Sequence, residues 1–411
     1  MTLAATNAPS MTATPAAAAP RVRDLRLDFF RGIAMFIILI AHTPGNFLTS
    51  WIPARWGFSD ATEMFVFCSG MASAIAFGGA FHRSGWVLGT ARVGFRVWQV
   101  YWAHIGLFIA VAALMAGFDY YGGYDKTYIG SLNLWKFFAD PAVPLLGLVT
   151  LSYVPNYFDI LPMYMVVLAM MPLVMAIQRV HTGFVFLFMT LVWIGAQDAL
   201  WGAAHFSLPA EPWSERSWFF NPFGWQLIFF TGFAFMRGWI PKPPVHIALI
   251  ALAAFIVLAN IPLSNIGVRA VARDWFFVTE TGNPVIDARL AIKPLIDKSD
   301  FGLFRFIHFL SLAYLAWVLA GDKGDNLLPR GAGLIARVWD EILKVILKVG
   351  QQSLAVFIVS MFTARVMGFV MDQIGRSTGT TLIVNLAGAI ILVATAYGAG
   401  WFKSQPWKRK S

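Results

Sequence analysis

Apolar residues run in blocks of about twenty along most of the chain, and polar residues gather in the gaps between them. A block of that length crosses the hydrocarbon of a bilayer as a helix, because only there are all its backbone groups bonded internally. The pattern predicts ten such helices, near 30–50, 59–80, 97–118, 157–178, 183–202, 221–240, 245–263, 302–320, 351–372 and 380–402. The expected fold is all-α, a polytopic membrane protein. The stretch VPLLGLVTLSYVP, at 143–155, is too short to span and is read as re-entrant or interfacial. RGAGLIARVWDEILKVILKVG, at 330–350, is basic and amphipathic, which predicts a helix lying on the cytoplasmic membrane surface. Residues 1–22, rich in Ala, Thr and Pro, are expected to form a disordered cytoplasmic tail. One membrane domain is expected over 23–403, with a long polar loop at 264–300 and a short basic tail at 404–411.

Composition agrees with this class. The chain of 411 residues is 58% hydrophobic and 13% charged, about half the charge share of a soluble domain. The net charge of +10 does not point to nucleic acid. Most lysines and arginines fall in alternate connections, on the side that also holds both ends of the chain. The positive-inside rule then puts both termini in the cytoplasm and the 264–300 loop outside. The single cysteine, Cys68, excludes an intrachain disulfide.

Candidate chemistry comes from ionisable residues placed where lipid disfavours them. Arg31 and His42 lie eleven residues apart, three helical turns, so they share a face of the first helix. His42 then stands about 16 Å beyond Arg31. Asp60 and Glu63, spaced i and i+3, open the second helix. The connection is centred near Trp51, which puts His42 and Asp60 at similar depth in an antiparallel hairpin. A buried histidine beside a carboxylate is a candidate general base, and equally a structural pair tying two helices together.

The strings LDFFRGIAMFIILIAHTPGN and SDATEMFVFCSG resemble the OpgC family, within the acyltransferase-3 superfamily of integral-membrane acyltransferases. The Arg31-x10-His42 spacing carries the superfamily resemblance, and the longer strings carry the family. The resemblance implies an inner-membrane bacterial enzyme that moves an acyl group from cytosolic acyl-CoA, with succinyl-CoA expected, to hydroxyls of a periplasmic glucan. His42 would deprotonate the hydroxyl or accept the acyl group itself, with Asp60 and Glu63 orienting it. A thioester carries its own free energy, so no metal is expected. Arg92, Arg96 and Gln99 form one polar face entering the third helix. With Arg31, the two arginines are read as the acyl-CoA site, against a reading as plain positive-inside anchors. Tyr157, Asp159 and Tyr164 cluster at the outer mouth of the fourth helix. Together with Gln226, Arg305 and His308 they are read as acceptor-binding, although an aromatic belt and helix-to-helix bonds would use the same residues. The competing function is a proton-coupled transporter with His42, Asp60 and Glu63 as a relay. The lack of an internal repeat argues against it.

Overall fold

The structure, a computed structural model, describes residues 24–270 and 283–408. The N-terminal tail, and the part of the polar loop holding Arg273, Asp274 and Glu280, lie outside the described residues. Within them the protein is all-α, with one isolated bridge between Pro209 and Ser217. Each of the ten predicted stretches carries a helix: α1 (Leu25–His42), then, after the one-turn α2 (Pro53–Trp56), α3 (Ala61–Ser73), α4 (Gly79–Tyr121), α5 (Ile160–Val180), α6 (Thr182–Gly195), α7 (Pro222–Arg237), α8 (Ile247–Ala259), α9 (Leu303–Ala320), α11 (Ser353–Ile374) and α12 (Thr378–Ser404). Between α9 and α11 runs α10 (Leu334–Gln351), the predicted amphipathic helix. The 143–155 stretch is a nine-residue helix, Ala142–Thr150.

By length and composition, six helical segments qualify as membrane spans, or seven if the pair bent by 67° after α6 is one span. The count is below ten for clear reasons. α1 carries Arg26, Asp28 and Arg31 within eighteen residues, and α7 has only sixteen. α3 and α4 are merged into one segment through a π-helical turn, Ala74–Gly78. The merged helix breaks at Gly85, whose φ of 78° suits only glycine without strain.

α1 sits at the centre, packed on α3, α10 and α11. Its crossing with α10 is close because neither partner has a side chain at the contact. A Cβ on Gly32 would strike the carbonyl of Ile346, and one on Gly350 would strike that of Asp28. Gly70 and Gly232 do the same for α3 against α7. Small residues let helix backbones approach in a membrane, where burial of apolar surface alone gives no preference for helix over lipid. Large apolar side chains fill the remaining space, among them Met35 and Leu39 of α1, Phe229 and Phe233 of α7 and Met361 of α11.

Candidate active site

Two separate cavities are lined in part by α1, α3 and α5, one toward each end of α1. They share no lining residue. The first, about 440 Å³, is walled by Ile38 and His42 of α1, Arg55 of α2, Asp60 and Phe65 of α3, and Tyr157 and Asp159 before α5. Lys298 and Asn265, from the two ends of the long polar loop, complete it. The second, about 350 Å³, is lined by Arg31, Ser69, Ser73, Arg92, Arg96, Gln99 and Tyr164.

His42 occupies the last turn of α1. Its Nδ1 lies 2.9 Å from the carbonyl of Ile38, one turn back. A carbonyl only accepts, so Nδ1 carries the proton. In the neutral ring Nε2 is then the atom with a free lone pair. Among the described residues Nε2 has no hydrogen-bond partner, and the ring forms part of the cavity wall. The edge of Tyr157 stands 5.5 Å away, centroid to centroid. The turn after His42 is pinned from two sides: Arg376 donates to the carbonyl of Pro44, and Asn46 bonds Asn385 at 2.8 Å.

The expected pairing of His42 with a carboxylate is not what the structure shows. Asp60 caps α3, accepting from the Thr62 amide at 2.6 Å, while Glu63 reaches back to the Asp60 amide at 2.7 Å. The i, i+3 pair is a capping box. Its remaining charge is met from far along the chain. Lys298 Nζ lies 2.6 Å from Asp60 Oδ2, and Arg305 bonds Glu63 Oε1 through Nε at 2.8 Å and through Nη2. Glu63 is fully buried and forms no part of the cavity wall. Asp60 does line the cavity and contributes to the field at His42, together with Lys298 and Arg365.

Four of the residues read as acceptor-binding lie outside the wall of the histidine cavity. Arg305 is committed to Glu63, and His308 Nδ1 accepts from the Ser59 amide, with Ser59 Oγ 2.7 Å away; both side chains brace the start of α3 outside the cavity. Gln226 is fully buried and donates to the carbonyl of Met189 at 2.8 Å, tying α7 to α6. Tyr164 lines the other cavity, where it neighbours Arg31 electrostatically. Tyr157 and Asp159 stand in the wall of the histidine cavity; Asp159 accepts from the Phe219 amide at 3.1 Å.

Arg365, in the middle of α11, received no role from sequence. Its guanidinium lies 3.8 Å from the centroid of the Tyr157 ring. A lone arginine inside an apolar helix is itself the signal that would have found it. Tyr157 itself has a φ of 93°, a left-handed conformation that a bulky residue adopts only when its surroundings impose it, and its hydroxyl is also held, donating to the carbonyl of Met361.

At the other end, Arg31, Arg92 and Arg96 line one cavity whose wall contains no carboxylate. Arg31 bonds Ser353 of α11, and its buried Nε has no hydrogen-bond partner among the described residues. Lys403, in the last turn of α12, feels the charges of Arg31 and Arg96 and is held by Gln352 at 2.7 Å. The π-helical turn supplies Ala76 and Phe77 to the same wall. Such turns recur where a helix is shaped around a site.

The family of OpgC proteins matches residues 23–404, more than nine-tenths of the chain. The chain belongs to the OpgC family. Membership implies a membrane acyltransferase, the reaction class for which a histidine with an open Nε2 is suited. No curated protein and no solved structure matches the chain.

Proposed function

We propose that this OpgC-family protein moves an acyl group, succinyl being the expected one, from acyl-CoA to a hydroxyl of a glucan, with His42 as the reacting base or acyl acceptor. The observation that carries the reading is the tautomer of His42. The Ile38 carbonyl holds the proton on Nδ1 and leaves a lone pair on Nε2 facing a cavity with room for a sugar ring and a short acyl chain. In the base route, Nε2 takes the proton of the acceptor hydroxyl, whose oxygen attacks the thioester carbonyl. The carbon–sulfur bond breaks, and the imidazolium returns its proton to the departing thiolate. In the acyl-histidine route, Nε2 attacks the thioester carbonyl and the carbon–sulfur bond breaks to release the thiolate; the acceptor hydroxyl then takes the acyl group from Nε2, and its proton ends on the thiolate. The phosphates of the donor fit the arginine cavity, where cations stand without carboxylates in the wall. The donor's extended arm would have to run along α1 from one cavity to the other, and the positive-inside orientation would put the arginine cavity in the cytoplasm and the glucan outside.

A proton relay through His42, Asp60 and Glu63 loses its support, since both carboxylates are held by fixed cations and neither bonds His42. The test is thiol release from acetyl- and succinyl-CoA by the full-length protein in detergent, with a β-glucan acceptor, for wild type and His42→Ala. Release that depends on the acyl group and on His42 supports the reading. Absence of both turnover and CoA binding would sink it.

A further inference from the structure

The histidine cavity holds two basic side chains, and they differ in one respect. Lys298 is neutralised by Asp60 at 2.6 Å. Arg55 has no carboxylate within 4.0 Å among the described residues. Among the described residues its one side-chain hydrogen bond runs from Nε to the carbonyl of Thr49 at 3.3 Å, and none runs from Nη1 or Nη2. The backbone beneath it is also fixed: Asn265 donates to the carbonyl of Ala54 at 3.1 Å and itself accepts from Arg289 at 2.9 Å. A half-buried guanidinium held this way presents two parallel donors at a set position, the arrangement that binds a carboxylate at both oxygens. Leaving a cation partly desolvated without a partner is unfavourable, so the site is built for an anion that arrives with the substrate.

We propose that Arg55 is the specificity-determining residue for the acyl group, and that it takes the free carboxylate at the far end of a dicarboxylic acyl chain whose carbonyl carbon is presented to His42. The inference rests on the acyl-transfer reading and deepens it. The other basic residues around this cavity are already engaged: Arg305 by Glu63, Arg216 by Glu211, and Arg365 by the ring of Tyr157. A monocarboxylic chain of the same length, such as butyryl, fills the same space and leaves Arg55 bare. The selectivity of the enzyme for succinyl over butyryl is therefore the quantity Arg55 controls.

The experiment compares wild type, Arg55→Gln, Arg55→Lys and His42→Ala as full-length protein in detergent, with thermal unfolding to verify folding. The acceptor is one neutral β-glucan throughout. The ratio of kcat/KM for succinyl-CoA to that for butyryl-CoA is expected to fall about 10- to 100-fold in Arg55→Gln, the range for a lost charged hydrogen bond. Arg55→Lys should recover part of the loss. An unchanged ratio, including an equal fall with both donors as acceptor recognition would give, overturns the proposal. A second arm needs no turnover: binding of free succinate, with butyrate as control, by saturation-transfer NMR. Succinate binding that Arg55→Gln removes and His42→Ala keeps supports the proposal even if no donor is consumed, in which case the acyl-transfer reading fails alone. Succinate bound equally by wild type and Arg55→Gln, or by neither, overturns it.

Discussion

The two ends of α1 treat charge in opposite ways. At the histidine end, Asp60 and Glu63 are capped, bonded and matched by Lys298 and Arg305, so their charges are held fixed. At the arginine end, Arg31, Arg92 and Arg96 line a cavity whose wall has no carboxylate, with Lys403 near enough to feel Arg31 and Arg96; Asp28, one turn back on α1, offsets part of the charge of Arg31 alone. Charges that are matched internally give shape and a steady field. Charges left unmatched give affinity, since their partner must come from a ligand. Arg55 is the exception at the histidine end; apart from it, the contrast sets matched charges around the proposed chemistry against cations suited to the phosphates of the proposed donor, and substitutions can test each assignment.

The largest effect is expected at His42. His42→Ala should lower transfer by about 10²- to 10⁴-fold, the span for removing a general base, with donor binding kept. A similar loss of CoA affinity in the same variant would break the division of labour.

Next is the buried pair behind the site. Glu63→Ala removes the bonded partner of Arg305 and leaves it only the longer contact to Asp60, 3.9 Å away, so the fold should be destabilised by up to about 3–5 kcal/mol, read as a fall in thermal unfolding temperature. The double change Glu63→Leu with Arg305→Met should recover most of it, because two well-packed apolar groups replace a desolvated ion pair. If the double variant folds and yet does not turn over, the field of the pair matters to the chemistry as well as to the fold.

At the other end the expected change is in affinity. Arg92→Ala and Arg96→Ala should each raise KM for acyl-CoA about tenfold with kcat little altered, consistent with about 1.5 kcal/mol for a hydrogen bond to a charged group. The smallest effect is Lys403→Ala, whose side chain is partly solvated. A rise in KM of about two- to fivefold, fading at high salt, is expected for a cation that acts through screened charge. An effect of Lys403 on kcat instead would place it nearer the chemistry than the structure does.

Much of this was legible in the chain. Helix periodicity alone put Arg31 and His42 on one face of α1, because three turns return a residue to its starting angle. Hairpin arithmetic brought Asp60 to the depth of His42, and both line one cavity. The partners were not legible. Lys298 and Arg305 stand some 240 residues from Asp60 and Glu63 along the chain, and no local rule links positions that far apart. The i, i+3 spacing of Asp60 and Glu63 reads as one helix face turned to His42, whereas the structure makes it a capping box at the start of α3. Tyr164 groups with Tyr157 and Asp159 by nearness in the chain, but it lines the arginine cavity while Ile160, one turn before it, lines the histidine cavity. Arg55 drew no notice because a single arginine in a short connection carries no periodic signal.

On α3, Phe65 lines the histidine cavity and Ser69, one turn on, lines the arginine cavity. Between them the ring of Phe65 stacks on that of Phe357 at 5.7 Å, nearly parallel. A membrane that stores energy as an ion gradient cannot contain a standing column of water, because protons would run down it. These two apolar rings lie where, along α3, the lining of one cavity gives way to that of the other. If a thioester donor reaches His42 from the arginine cavity, its arm would have to part them, and a hydrated ion would first have to shed its water.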